Sequence, residues 1–98
     1  MLRIAICDDD PVFLFQTHAL IDRWNNHQQD LIIRDFENGD ALIQSLKEFT
    51  YDIVFLDVIM PFLNGIEVAQ EIRKHDSTSK IIFLTSSPEF AVDSYSVK

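Results

Sequence analysis

Cations are scarce in this chain: eight Lys and Arg stand against sixteen Asp and Glu in 98 residues, a formal charge of −8. A phosphate backbone demands clustered positive charge, so nucleic-acid binding by this segment is excluded. Glycine is nearly missing, with two residues, and no G-x-G-x-x-G follows an apolar run. That removes the phosphate-cradling turn of the dinucleotide-binding folds. Cysteine occurs once, as Cys7, so no internal disulfide can form. Its place inside an apolar run marks it as a small buried hydrophobe. No apolar stretch approaches the ~18 residues of a membrane span. The start Met1-Leu2-Arg3-Ile4 lacks the plan of a secretory signal. A cytoplasmic protein with no membrane contact is expected.

Hydrophobic residues are present in quantity, 47% of the chain with eight Phe, which marks a globular domain rather than a disordered segment. The length suits one domain with a modest core. Short apolar runs alternate with helical periodicity, the mark of βαβ units. The first strand is Leu2–Cys7. Asp10-Pro11 then offers an N-cap and a first-turn proline. Phe13, Leu14, Thr17, Leu20, Ile21 and Trp24 follow at helical spacing, predicting an amphipathic helix over 11–27. A second strand, Leu31–Phe36, leads to Asn38-Gly39. Leu42, Ser45, Leu46 and Phe49 behind it recur at helical spacing, so a helix is expected there and not a hairpin.

A third strand over 53–56 is unbroken in its hydrophobicity, as a central strand buried on both faces would be. Asn64-Gly65-Ile66-Glu67 reads as a capping box. The helix it opens turns Val68, Ala69 and Ile72 inward and ends near His75. A fourth strand over 81–84 and a fourth helix opened by Ser87-Pro88-Glu89 complete the pattern. The expected fold class is α/β, a doubly wound parallel sheet.

The chemistry lies at the strand ends. The run Ile53-Val54-Phe55-Leu56 ends in Asp57, and Leu2–Cys7 ends in Asp8, Asp9 and Asp10. If these runs are parallel neighbours, their carboxyl ends converge at the edge where open α/β sheets bind ligands. Full charges that close repel by about 3–4 kcal/mol per pair at an effective dielectric near 20. No stability argument favours such a cluster, so a divalent cation is its natural reason. Asp10 is expected to cap the helix rather than touch metal. Asp52 precedes the third strand at the opposite sheet end, as a surface or capping residue. His18, His27 and His75 lack partners at zinc-ligand spacing.

Four stretches in this order resemble the receiver domain of two-component response regulators: Ile4-Ala5-Ile6-Cys7-Asp8-Asp9-Asp10, Asp52 to Pro61, Asn64-Gly65-Ile66-Glu67, and Ile81-Ile82-Phe83-Leu84-Thr85. The resemblance implies a flavodoxin-like sheet of order 2-1-3-4, and a receiver domain over 1–98 whose fifth strand and last helix lie outside this sequence. It implies that Asp57 accepts a phosphoryl group from a sensor histidine kinase. Asp8, Asp9, Asp57 and the backbone carbonyl of Ile59 would hold Mg²⁺, and the hydroxyl of Thr85 would turn toward the phosphoryl oxygens. The family's lysine and aromatic switch residue, carried on or after a fifth strand, have no counterpart here. Lys98 falls on the expected fourth helix and is not that lysine. Ile6-Cys7-Asp8-Asp9-Asp10 and Ser86-Ser87-Pro88-Glu89-Phe90-Ala91 are similar to the subgroup with a LytTR-type DNA-binding output domain. Transcription regulation through that domain is implied.

Two other functions compete. Aspartyl-phosphate hydrolases of the haloacid-dehalogenase type carry a second Asp two residues after the nucleophile, and Ile59 stands there instead. A degenerate receiver, working as an interaction module without phosphorylation, is the alternative that keeps the fold. The fourth strand would form a sheet edge, and an open edge invites pairing with another chain. Two copies are therefore expected to associate through that edge or to exchange the segment 88–98.

Overall fold

The computed structural model describes residues 1–84. Strands β1 (Leu2–Cys7), β2 (Leu31–Phe36), β3 (Ile53–Asp57) and β4 (Lys80–Leu84) form one parallel sheet of order β2-β1-β3-β4. Helices α1 (Pro11–Asn25), α2 (Gly39–Ser45) and α3 (Gly65–His75) join them. The doubly wound parallel sheet is as expected. The fourth helix and Thr85 lie outside the described residues.

Right-handed crossovers decide which face each helix covers. The leftward step from β1 to β2 puts α1 on one face, where Leu14 and Ile21 pack on Ile4 and Ile6. The rightward steps put α2 and α3 on the other. There Leu42, Val68, Ala69 and Ile72 close over Ala5, Cys7, Val54 and Leu56. Each fully buried aliphatic side chain contributes about 1.5–3 kcal/mol before the cost of ordering it.

The local chemistry accounts for the helix starts. Asp10 caps α1 by accepting from the Val12 amide at 2.9 Å. Asn38 caps α2 by accepting from Ala41 at 2.8 Å. Asn64 and Glu67 make the reciprocal capping box on α3. Asp52 latches the far end of the sheet, where its carboxylate accepts the Arg3 amide at 2.8 Å.

Several expectations are corrected. Helix α1 stops at Asn25, two residues short of 27, because Asn26 and His27 take left-handed backbone angles, φ 42° and 58°. Helix α2 stops at Ser45, whose hydroxyl donates to the Leu42 carbonyl and bonds the Tyr51 hydroxyl. Phe49 consequently follows the helix and packs against Tyr51, with the Arg3 and Arg34 guanidinium groups each 4.9 Å from its ring centre. Among the described residues, strand β3 is fully covered on one face only: Val54 and Leu56 are fully buried, but Ile53 and Phe55 only half. The expected inward stripe of α1 divides likewise. Leu14 and Ile21 are buried, while Phe13, Leu20 and Trp24 stay exposed. Both facts have one cause: α1 sits toward β1 and β2, so among the described residues nothing covers this face over β3 and β4.

His18 has partners that spacing along the chain does not suggest. Its Nδ1 lies 2.9 Å from Asp35 on β2, and its Nε2 lies 3.4 Å from Asp22 one turn on. It ties α1 to the sheet. No helix among the described residues is long and apolar enough to cross a membrane.

Candidate phosphoacceptor and metal site

Parallel register builds the site. Cys7 pairs with Leu56, so the next residue of each strand line, Asp8 and Asp57, stand side by side where the strands end. Asp8 is held in the sheet by its own amide, which donates to the Phe36 carbonyl at 3.0 Å. Asp57 is the last residue of β3, and its Cα partner on the other side is Leu84. The carboxylates of Asp8, Asp9 and Asp57 each place an oxygen within 4.8 Å of the others. Asp10 lies apart in role, because its carboxylate is used on the helix cap.

The three acids differ in environment. Asp8 is 6% exposed, Asp57 is half-buried, and Asp9 faces solvent. Asp8 accepts the Asp10 amide at 2.9 Å, and Asp57 accepts the Ile59 amide at 3.3 Å. Those two bonds favour the anions, but they do not win. Burial, and then the Asp8 charge, push the Asp57 carboxyl up to about 7. Burial raises Asp8 as well. Beneath them Cys7 is fully buried, its Sγ 3.7 Å from the Met60 sulfur. Burial and the neighbouring acids push its thiol up to about 12, so it stays an inert hydrophobe.

A site of this kind takes up protons or a cation. Three carboxylate oxygens are hard donors, suited to Mg²⁺, which uses few protein carboxylates and keeps waters. The donor set and the crowding of like charge both fit such an ion. No nitrogen or sulfur ligand competes among the described residues of this cluster, since the Cys7 thiol remains protonated.

Sequence reasoning passed over part of the rim. Phe13 and Thr17 line the cavity that holds Asp9 and Asp57, together with Ile59, which was expected at the site through its carbonyl. Phe13 is 59% exposed and Ile59 61%. Phe13 stands one turn inside a helix whose cap is Asp10, and that position was the available signal. Phe62 was also missed. It is fully exposed and holds a left-handed backbone, φ 69°, in the loop between β3 and α3. A bulky side chain in that region is an outlier, and outliers concentrate at functional loops. Trp24 lies at the other end of α1, about 20 Å from the acids at 1.5 Å per residue. It is too remote to report directly on an ion there.

Residues 4–97 match the family model described as "Response regulator receiver domain". The chain is 32% identical to sensory transduction protein LytR of Staphylococcus haemolyticus, over 96% of this chain and 36% of that protein. Among solved structures it is similar to response regulator protein TrrA of Thermotoga maritima in complex with Mg²⁺-BeF, at 34% identity and TM-score 0.74. That match covers 95% of this chain and 76% of the other. A structure of histidine kinase ThkA with the same regulator matches at 36% identity and TM-score 0.67, over 88% of this chain and 70% of that one. The chain spans about a third of the length of the curated relatives it matches.

Proposed function

The chain belongs to the response regulator receiver domain family, and from that premise we propose that it is the phosphoacceptor module of a cytoplasmic two-component regulator. Asp57 takes a phosphoryl group from a sensor histidine kinase and thereby switches an attached output domain. The observation that carries this reading is the meeting of Asp8, Asp9 and Asp57 within 4.8 Å at the ends of β1 and β3.

Asp8, Asp9, Asp57 and the Ile59 carbonyl are the proposed ligands of Mg²⁺, which when bound offsets the negative charge of both the acids and an incoming phosphoryl group. A neighbour solved with Mg²⁺-BeF supports that choice of ion. Asp57 is the proposed nucleophile: it ends the central strand β3, half-buried, and a cation bound there would offset the Asp8 charge and let its carboxylate stand ionised. One of its oxygens attacks phosphorus in line. The phosphorus–nitrogen bond to the kinase histidine breaks, and the imidazole keeps the electron pair and takes up a proton. The product on this chain is an acyl phosphate. Asp8, mostly withdrawn from water, holds the loop shape by accepting the Asp10 amide. Thr85 is the proposed hydroxyl donor to the new phosphoryl oxygens. It follows Leu84, the residue in register with Asp57. The modification adds about −1.5 to −2 charges, enough to bias a two-state surface.

The output domain we propose is DNA-binding, of LytTR type, acting in transcription. The likeness to LytR supports it, as does the greater length of the matched relatives. A kinase partner is supported by the neighbouring kinase complex.

Acetyl phosphate with Mg²⁺ should add one phosphoryl mass to the wild type and none to Asp57→Asn. The same gain on Asp57→Asn would sink the acceptor assignment. No gain on the wild type with any phosphodonor would favour a phosphorylation-independent interaction module.

A further inference from the structure

Arg3 on β1 and Arg34 on β2 stand on the sheet face that carries α2, since strand alternation puts them with Ala5 and Phe36, which pack into the core there. Ala5 is the register partner of Arg34, so Arg3 lies one strand across and two residues back. Strand spacing and rise set their Cα atoms about 8 Å apart. Both residues are exposed. Each guanidinium lies 4.9 Å from the centre of the Phe49 ring, and that of Arg34 is also 5.9 Å from the Phe36 ring. Stacking of this kind fixes a guanidinium by its face and leaves its N–H edge free to bond.

Two like charges held this close, in a chain with sixteen acids, are expected to find a carboxylate. Among the described residues neither does. The acids beside them are engaged elsewhere. Asp52 accepts the Arg3 amide, not its guanidinium. Asp35, next to Arg34 along β2, points to the opposite face and bonds His18. A guanidinium has five N–H donors. Among the described residues one from Arg3 reaches Thr50 Oγ1, at a long 3.4 Å, and none from Arg34 reaches an acceptor. The aromatic contacts hold these charges in place without neutralising them.

We infer that Arg3 and Arg34 form a docking site for an acidic, extended segment of a partner protein. Carboxylates on alternate residues of an extended chain stand about 7 Å apart on one side, close to the spacing of the two arginines. Each guanidinium then takes one carboxylate in a bidentate fork. Two separate charges are better matched by two carboxylates than by one small anion. A net charge of −8 repels anions at long range, so binding of such a segment must come from this local pair. The inference is independent of the phosphoacceptor reading, because neither arginine belongs to the acid cluster.

Titration of the metal-free chain with a capped peptide carrying glutamates at two alternate positions tests it, read by NMR from the arginine Nε–H resonances. Those of Arg3 and Arg34 should shift together with one dissociation constant, while that of Arg23 on α1 stays in place. Arg3→Ala and Arg34→Ala should each weaken binding at least about tenfold, and Arg23→Ala should not. Circular dichroism checks that each variant folds. Where an alanine variant does not, Arg3→Lys or Arg34→Lys takes its place and should still weaken binding, because an ammonium lacks the planar fork. Equal binding of the glutamine analogue of the peptide, or equal loss from Arg23→Ala, marks general attraction and overturns the inference. So does the absence of any shift at Arg3 and Arg34, whatever then covers them. Tighter binding of inorganic pyrophosphate at the same two resonances assigns the site to free phosphates and overturns the peptide.

Discussion

Asp57 carries the sharpest consequence at the scale of a single residue. Its carboxyl is raised to about 7 in the folded protein, against 3.8 for the free group. Between those values the native state keeps a proton that the unfolded chain releases, so this group favours folding in acid. That contribution is complete below about pH 4 and is lost as pH rises through about 7. The metal-free protein should therefore melt at a lower temperature near pH 8 than near pH 5, and Asp57→Asn should reduce the difference. A thermal scan of both proteins at the two pH values, with chelator present, checks it. A cation must displace the same proton, so Mg²⁺ affinity should fall as pH drops below about 7. Asp9 faces solvent and makes no cap, so its removal isolates the ligand role. Asp9→Ala should weaken Mg²⁺ at least about tenfold, or ~1.4 kcal/mol, by calorimetry. Equal affinity in the variant would remove Asp9 from the ligand set.

At the scale of elements, the loop from β3 into α3 joins stability to the site. The Gly65 amide donates to the Val58 carbonyl at 3.0 Å, and a Cβ on Gly65 would fall against the backbone carbonyl of Asp57. Gly65→Ala should therefore cost at least about 2 kcal/mol in urea unfolding. It should also impair phosphorylation, because backbone at Asp57 must move. Asn64→Ala removes the cap oxygen from the Glu67 amide and leaves the loop free to keep its path. About 1 kcal/mol is the expected loss, with acceptor activity retained. A comparison of both variants by unfolding and by acetyl phosphate labelling separates the two effects. The cap was legible as Asn64-Gly65-Ile66-Glu67. The need for glycine at its second position was not, since the obstruction comes from a strand that only the fold brings near.

For the whole molecule, the acid cluster links ion binding to global stability. An ion that binds only the folded state stabilises it by mass action, about 2.7 kcal/mol at a hundred times its dissociation constant. For a domain of this size that corresponds to a rise of roughly 10–20 °C in melting temperature. The rise should be largest near pH 8, where protons compete least, and should shrink strongly in Asp57→Asn. An equal rise in both proteins would mean that Mg²⁺ acts on the −8 charge of the chain as a whole and not at this site.

The alternation of apolar runs and helical stripes was enough to reveal four strands, the three helices between them and a parallel sheet, because period is a local property of the chain, whereas the order 2-1-3-4 came from the resemblance to the receiver family. Acids at the ends of two runs pointed to Asp8, Asp9 and Asp57 for the same reason. Burial of particular side chains was another matter. Phe13, Leu20 and Trp24 satisfy the helical stripe as well as Leu14 and Ile21 do, yet they stay exposed, since the seat of α1 over β1 and β2 decides which flank is covered. His18 found Asp35 across 17 residues, and Phe62 took a left-handed backbone, for reasons no spacing records. The raised Asp57 carboxyl likewise depends on burial and on Asp8 being held beside it. Sequence period orders the residues along an element; only the packing of elements against one another sets which of them lose water and which charges must share a place.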